Sequence, residues 1–283
     1  KKVIIATGSI ERPLIFNNND RPGIILSSSI KKFIDFYGVK TGKKISIFTN
    51  NDSAYETVIS LHKSGIEIGK IIDIREKCSS LLINQVEKLG IKILWKHTVV
   101  QTSGYKRIKS IEIMKLSENG ETVIGNKIKE KCDCLGISGG WTPMVHLFTQ
   151  SGGKLKFRKD DNVFVPDLDK TPSNQISVGS CNGDFELEDV IKKTLVSVKK
   201  FININNTDLD NLNITCSKET SKKNIWLLPS DKPLSKTKPF LDFQNDSTAT
   251  DVKLALREGF KSIEHVKRYT TTGMGTDQGK LSN

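Results

Sequence analysis

Apolar positions along this chain switch between a period of two and a period of about 3.6, and each switch marks an element. Val3-Ile4-Ile5-Ala6 is a short apolar run that stops at Thr7-Gly8, which predicts a buried parallel strand running into a tight turn. Residues 11–23 hold two prolines and the cluster Asn17-Asn18-Asn19-Asp20, and read as loop. From Ser27 to Tyr37 the residues Ile30, Phe33, Ile34 and Tyr37 share one helical face, closed by Gly38 and Gly42. A βαβ unit follows: strand Lys44 to Thr49, helix Asp52 to Lys63 stopped by Gly65, strand Lys70 to Arg75. A further amphipathic helix, Ser79 to Leu89, leads to a strand at Ile91 to Trp95. Residues 98–103, 108–116 and 121–127 alternate like an antiparallel meander. Cys132 to Ile137 reads as a strand ending in Ser138-Gly139-Gly140-Trp141-Thr142-Pro143.

The remainder is less regular. Ile176 to Val178 is a strand that runs into Gly179-Ser180-Cys181-Asn182-Gly183, and a helix is predicted from Phe185 to Phe201. Residues 202–223 are rich in Asn, Thr, Ser and Lys and read as a linker. Phe240 to Phe243 is a short strand. Thr248, with Asp251 three residues on, predicts a capped helix from Ala249 to Glu258. A second helix spans Ser262 to Tyr269, and 270–279 is a Gly/Thr loop. The chain has no internal repeat.

Composition narrows the class. The 283 residues allow two domains with an insertion, and 36% hydrophobic with 27% charged residues is a globular balance. The net charge is +12, but only seven of the 44 basic residues are Arg. Nucleic-acid recognition favours Arg forks, so the Lys-rich excess reads as coding bias and no nucleic-acid partner is expected. No apolar run approaches the ~18 residues a membrane helix needs. Five irregularly spaced cysteines fit a reducing compartment rather than a disulfide framework. The chain starts at Lys1 inside a strand pattern and carries no signal-peptide pattern, which predicts a piece of a longer polypeptide. Paired carboxylates, a Ser-His-Asp set and a Walker loop are all missing from the sequence, so no catalytic residue is assigned. Cys132 and Cys134 alternate along a strand and face opposite ways, and the four His show no ligand spacing, so no metal is expected.

The order of motifs carries more. A strand ending Ala6-Thr7-Gly8, a whole inserted βαβ-plus-meander unit, and a late strand ending Val178-Gly179 resemble the two-dinucleotide-binding-domain flavoproteins of the disulfide-reductase type. The fold class expected is α/β, with an inserted Rossmann-like domain and a small α-rich C-terminal domain. An incomplete outer domain would comprise 1–23 and 131–200, the insert 24–130, the linker 201–223 and the small domain 224–283. The Val3 strand should share a sheet with Ile176 to Val178. Ala6, Thr7 and Gly8 would line one side of a dinucleotide pocket, and Gly179, Ser180, Asn182 and Gly183, with Leu187, the other. Gly183 would lack a Cβ so that a pyrophosphate can approach. The insert carries no glycine fingerprint. Its first turn reads Thr49-Asn50-Asn51-Asp52-Ser53-Ala54-Tyr55, with Asn and Asp where glycines would permit close approach. Asp73 and Arg75 end the next strand, where a ribose-binding acid would sit. The insert is read as a retained scaffold with a degenerate site; whether it holds a nucleotide stays open.

Two longer strings narrow the resemblance. One runs through Ile10-Glu11-Arg12-Pro13, Asp20-Arg21-Pro22-Gly23, Thr49 to Tyr55, and Ser138 to Pro143 with Val145-His146-Leu147. The other runs from Phe240-Leu241-Asp242-Phe243-Gln244-Asn245-Asp246 through Glu264-His265-Val266-Lys267-Arg268-Tyr269-Thr270-Thr271-Thr272-Gly273-Met274 to Asp277-Gln278-Gly279-Lys280. Together they resemble the alpha subunits of heterotetrameric sarcosine oxidases. The resemblance implies partners in beta, gamma and delta subunits. It implies oxidative demethylation of sarcosine to glycine, one-carbon transfer to tetrahydrofolate, and peroxide as product. It further implies NAD in the outer site, FAD in the beta subunit, and FMN at the alpha–beta interface. Lys267, Arg268, Thr270, Thr271 and Lys280, in a loop of cations, hydroxyls and glycines, are the residues expected near FMN. Residues 224–283 resemble the A3 domain of these subunits, which in related dehydrogenases carries cluster-binding cysteines. This stretch has none, and Cys216 lies in the linker, so no iron–sulfur cluster is expected. Two alternatives stay open. A stand-alone NAD(P)H-dependent reductase would need a C-x-x-C pair or a second glycine fingerprint, and Cys132-Asp133-Cys134 is spaced too closely. A paralogous complex acting on another N-methyl amino acid or amino acid is the other.

Overall fold

The computed structural model describes residues 1–203 and 224–279. The chain divides into two compact units, one of residues 1–11 with 141–219 and one of residues 12–140 with 220–283.

The larger unit is built on a five-stranded parallel sheet in the order Ile24–Leu26, Cys134–Ser138, Lys44–Thr49, Glu67–Asp73, Ile93–Trp95. Its strands are buried on both faces, and this is why they read as continuous apolar runs. On one face lie the helices Ser27–Asp35, Ser53–Lys63 and Leu81–Lys88, whose Ile30, Tyr55, Val58, Leu61, Ile83 and Val86 form a single core with Ile45, Ile47 and Ile71. On the other lies the meander His97–Ser103, Ser110–Leu116, Val123–Lys131, whose Val99, Ile111, Ile113 and Leu116 close over Phe48, Ile72 and Leu135. Cys132 packs into the second core and Cys134 into the first, as their alternation requires, and burial pushes the two thiols up to about 12 and about 11. Gly136 lets the first helix cross close to the sheet, because a Cβ there would lie 2.7 Å from both Ile30 Cδ1 and Ile47 Cδ1.

The strand Cys134–Ser138 corrects one expected boundary. It pairs with Ile24–Leu26 and Lys44–Thr49, inside the inserted sheet, so the larger unit runs on to Gly140 rather than ending near 130. The strand expected from Lys70 to Arg75 starts earlier, at Glu67, and ends at Asp73.

The small C-terminal region belongs to the same compact unit. Its hairpin pairs Phe240–Asp242 with Ser247–Thr248, and its helices are Ala249–Arg257 and Ile263–Thr270. The capping box at Thr248 and Asp251 is formed in both directions. The Asn cluster at 17–19, expected as loop, is the edge on which this region docks. Asn17 Oδ1 accepts from Lys238 N at 2.8 Å, Asn19 Oδ1 accepts from Phe240 N at 2.8 Å, and Asn19 Nδ2 donates to Phe240 O at 2.9 Å. Leu228 joins the meander-side core and its N–H donates to Ile15 O.

In the smaller unit Val3–Ile5 pairs in parallel with Gln175–Ser177, as expected, in the register Val3↔Gln175 to Ile5↔Ser177. Only Ile5 of this strand is buried, against Phe148 and Cys181. Val3 and Ile4 are 48% and 44% exposed, so the strand is not the fully buried one its composition predicts: it belongs to a sheet of two strands, and only Ile5 packs into a core. Ser9–Glu11 pairs antiparallel with Trp141–Pro143. A hairpin of Leu155–Arg158 and Val163–Pro166, turned at Asn162 with φ 51°, has no counterpart among the elements expected from the pattern; each arm has four residues, too few for its alternation to register. The helix Leu187–Ile202 completes the unit. The linker assigned to 201–223 lies, from residue 204 onward, outside the described residues, as does Cys216.

Candidate functional site

Adjacent parallel strands end side by side, so pairing Val3–Ile5 with Gln175–Ser177 brings Ala6-Thr7-Gly8 next to Gly179-Ser180. Val178 N donates to Ile5 O at 2.9 Å, and the Cys181 thiol lies 3.3 Å from Ile5 O and 3.1 Å from Val178 O. Gly8 and Gly179 adopt φ of 77° and 74°, the left-handed region that favours glycine. Among the described residues, a Cβ on Gly8 would meet only Ser180 Oγ at 4.0 Å, and one on Gly179 only Val190 at 3.7 Å. A dinucleotide backbone needs such uncovered turns at the carboxyl ends of adjacent strands, and these residues fit one. Thr7 takes a fixed place, its hydroxyl donating to Met144 O at 2.7 Å while Met144 N donates to Gly8 O.

Not every residue named from the sequence lies at this opening. Gly183 is buried, with φ 83°, and a Cβ there would meet Val165 Cγ1 at 2.7 Å and Arg158 Nη2 at 2.9 Å. Arg158 Nη2 donates to Gly183 O at 2.6 Å. The missing Cβ therefore makes room for the hairpin, not for a pyrophosphate. Asn182 reaches Asp184 Oδ2 at 3.2 Å, and Leu187 is exposed at the start of its helix. Asp184 is a site-adjacent residue absent from the sequence-based set. It is buried, and it holds both Asn182 and Lys193 Nζ, the latter at 2.9 Å. A Gly-Asp pair ending a small-residue turn before a helix was the available signal.

The matching place in the inserted sheet is filled. Asn50, Asn51 and Asp52 follow the strand Lys44–Thr49 and are all buried. Asn51 Nδ2 donates to Ser138 Oγ at 2.9 Å, its Oδ1 accepts from the Ser53 hydroxyl at 2.6 Å, and Asn50 Nδ2 donates to Gly139 O at 3.3 Å. Arg75, 2% exposed, donates to Asp52 Oδ1 at 2.7 Å and to Asp73 Oδ2 at 2.8 Å. Tyr55 donates to the same Asp73 oxygen at 2.9 Å. Burial opposes the charge on Arg75, but the two carboxylates outweigh it and raise its pKa; burial, then Asp73, raises that of Tyr55.

The loop after residue 266 is held from beneath. Asp242 is fully buried and accepts from Gly273 N at 2.7 Å, Gln244 N at 2.8 Å, Asn245 N at 3.2 Å and Asn245 Nδ2 at 3.1 Å. Burial works against its charge, but these donors prevail and lower its pKa. Lys267 and Arg268 are exposed on the last helical turn and Thr271 beyond it, at φ 58°. Thr270 does not join them. It is buried, and its hydroxyl donates to Val266 O at 2.8 Å. Lys280 lies outside the described residues.

The fold class is that of α/β proteins with two dinucleotide-binding-type domains. The chain superposes on L-proline dehydrogenase from P. horikoshii with a TM-score of 0.68 at 20% identity, covering 100% of this chain and 51% of that one. For T. acidophilum thioredoxin reductase the TM-score is 0.51 at 19% identity, covering 65% and 59%. Sequence likeness is narrower. Residues 236–283 match the Sarcosine oxidase A3 domain. Sarcosine oxidase subunit alpha of Corynebacterium sp. (strain P-1) is 32% identical over 295 residues, 99% of this chain and 29% of that protein. That of Rhizobium meliloti (strain 1021) is 30% identical over 292 residues, 100% of this chain and 27% of that protein. The chain is similar to these alpha subunits over its whole length and spans under a third of theirs. Those proteins are named as subunits. No helix among the described residues is long and apolar enough to cross a membrane.

Proposed function

We propose that this chain is part of the alpha subunit of a sarcosine oxidase, an oxidoreductase acting on CH–NH groups. The assembled enzyme would demethylate sarcosine to glycine, pass the one-carbon unit to tetrahydrofolate and form peroxide, with beta, gamma and delta subunits in the cytoplasm. The observation that carries this reading is identity of 30–32% maintained over 99–100% of the chain, through both units, in three alpha subunits.

NAD would lie across Gly8, Gly179 and Ser180, where backbone approaches without a side chain in the way. Ala6 and Thr7 would border it, with Asn182 held on the rim by Asp184. NAD, if redox-active there, would supply hydride acceptance; the chain's own part is to bind and orient it. FMN would meet the exposed cations Lys267 and Arg268, with Thr271 and Lys280, at the contact with the beta subunit that holds FAD. Thr270 would act beneath them, tying the loop to its helix. Asp242 would keep Gly273 and its neighbours in one conformation, which spares the ordering cost of binding.

The test is to produce the complete subunit with the polypeptides encoded beside it. Sarcosine-dependent oxygen uptake with peroxide and extracted NAD, FMN and FAD are expected. A purified complex that leaves sarcosine unoxidised, with its flavins in place, would refute the substrate. A complex without NAD would refute the outer-site assignment.

A further inference from the structure

We infer that the crevice of the inserted domain, where the second dinucleotide of this fold would lie, is a closed joint filled by the chain itself. Ligands of open α/β sheets bind outside the carboxyl ends of the strands, with anionic groups at a helix start and an acid near the ribose. Each of those places is taken here by a side chain or by backbone. Asn51 Oδ1 accepts from Ser53 N at 3.1 Å at the start of the helix Ser53–Lys63, where an anionic ligand would be held, and Asp52, which makes no capping bond there, pairs with Arg75 at 2.7 Å. Asp73, the acid at the end of the next strand, spends its oxygens on Arg75 and on the Tyr55 hydroxyl. Asn50 and Asn51 bridge to Gly139 and Ser138 at the end of the neighbouring strand. An ion pair sealed from water and bonded at every arm does not exchange partners for a ligand without first exposing its charges.

Two strands of backbone then cover the opening. Residues 12–13 cross the end of the strand Cys134–Ser138: Gly139 N donates to Arg12 O at 2.7 Å, and a Cβ on Gly139 would lie 2.6 Å from Pro13 O. Over them comes the segment that leads into the small domain. Trp226 lies on the Arg12 guanidinium at 5.0 Å, and Ile225 packs against the meander-side core. The space left among Arg12, Leu14, Asn50, Gly139, Asn224 and Trp226 is about 10 Å³. That is at most one water, against the 300 Å³ or more of a cofactor pocket, taking roughly the lower bound for such sites. The crevice has thereby become an anchor. The surface that would recognise a nucleotide holds residues 224–228, and through them the A3-like region.

Hydrogen exchange on the complete subunit in its complex tests this directly, with NAD, NADP and ADP each added at millimolar concentration. Amides of residues 49–55, 73–75 and 138–140 should be unchanged by all three. Protection of 49–55 by any of them, or faster exchange at 224–228 on its addition, would overturn the inference. Amides of 6–8 and 179–182 report the outer cradle separately, so loss of NAD there does not bear on the joint. A second measurement uses Trp226→Ala, which should speed exchange at 49–51 and 139–140 by about tenfold, the size of a lost partly buried cation–π contact. Unchanged exchange in that variant would show that the segment is not the cover.

Discussion

Two crevices occupy the same place on two pieces of α/β fold in this chain, and they treat polar groups in opposite ways. The outer one ends its paired strands in Ala6-Thr7-Gly8 and Gly179-Ser180, with positive φ at Gly8 and Gly179 and, among the described residues, nothing closer than 3.7 Å to where a Cβ would stand. The inserted one ends its strands in Asn50-Asn51-Asp52 and Asp73, with every one of these side chains buried. Glycine leaves backbone for a ligand to meet. Asn and Asp carry their own donors and acceptors, and once buried they must find partners within the chain. A few side chains at strand ends thus decide whether a crevice of this fold is a cradle or a core.

The largest test of that contrast removes the cation from the inserted crevice. Arg75→Met strands the carboxylates of Asp52 and Asp73, 5% and 0% exposed, without a counter-charge. The expected loss is ~3–5 kcal/mol, read by urea unfolding of the complete subunit. Replacing all three groups together, as Asp52→Asn, Asp73→Asn and Arg75→Met, should recover much of it, because the penalty lies in the unpaired charge rather than in the missing bonds. A single Arg75→Met variant as stable as the parent would mean that water reaches the network, and the crevice would then not be closed.

A paired exchange sharpens the contrast further. Gly179→Val in the outer turn meets no close atom but forces a β-branched residue to φ 74°, a strain of ~1–2 kcal/mol. Its main effect should be on bound NAD, which should fall below detection. Asn51→Gly in the inserted turn should cost about 1–3 kcal/mol, since Ser138 and Ser53 lose a buried partner. It should bring no nucleotide with it. Nucleotide binding by the Asn51→Gly protein would show that glycine content alone separates the two crevices.

The two sites differ in how far the sequence discloses them. The strands, the three helices of the insert and its meander follow from apolar periodicity, and the split outer sheet follows from the order of the glycine turns. The absence of glycines after Thr49 signals that the second crevice has changed. It does not signal the filling, because Arg75 meets Asp52 across 23 positions of sequence and Trp226 meets Arg12 across more than two hundred. Gly183 misleads for a related reason. A glycine needed by a distant hairpin, here through Val165 and Arg158, has the same local sequence as one needed by a ligand. Thr270 has the look of a ligand hydroxyl in a Thr-rich loop, but a threonine in the last turn of a helix can bond the carbonyl four residues back, and this one does.

Asp242 supplies a second way of burying a carboxylate, and it refines the comparison at the smallest scale. Asp52 and Asp73 are balanced by a cation; Asp242 is balanced by N–H groups of Gly273, Gln244 and Asn245 and by the Asn245 amide. Its pKa lies below the ordinary Asp value of about 3.9. A carboxyl whose folded value is depressed adds stability that is complete above the unfolded value and disappears as pH falls through the folded one. The clasp should therefore be whole at neutral pH and released only in acid, below about pH 4. Asp242→Asn keeps the shape and one acceptor oxygen, so its cost at pH 7 should be modest, about 1 kcal/mol. Parent and variant should converge as the pH is lowered, since a protonated Asp242 and an Asn offer the loop similar bonds. Exchange of the Gly273 amide, followed in both proteins across that range, is the measurement. Curves that stay parallel would mean that the N–H groups do not favour the charged form, and the loop carrying Lys267 and Arg268 would owe its order to Gln244 and its bond with Thr276 instead.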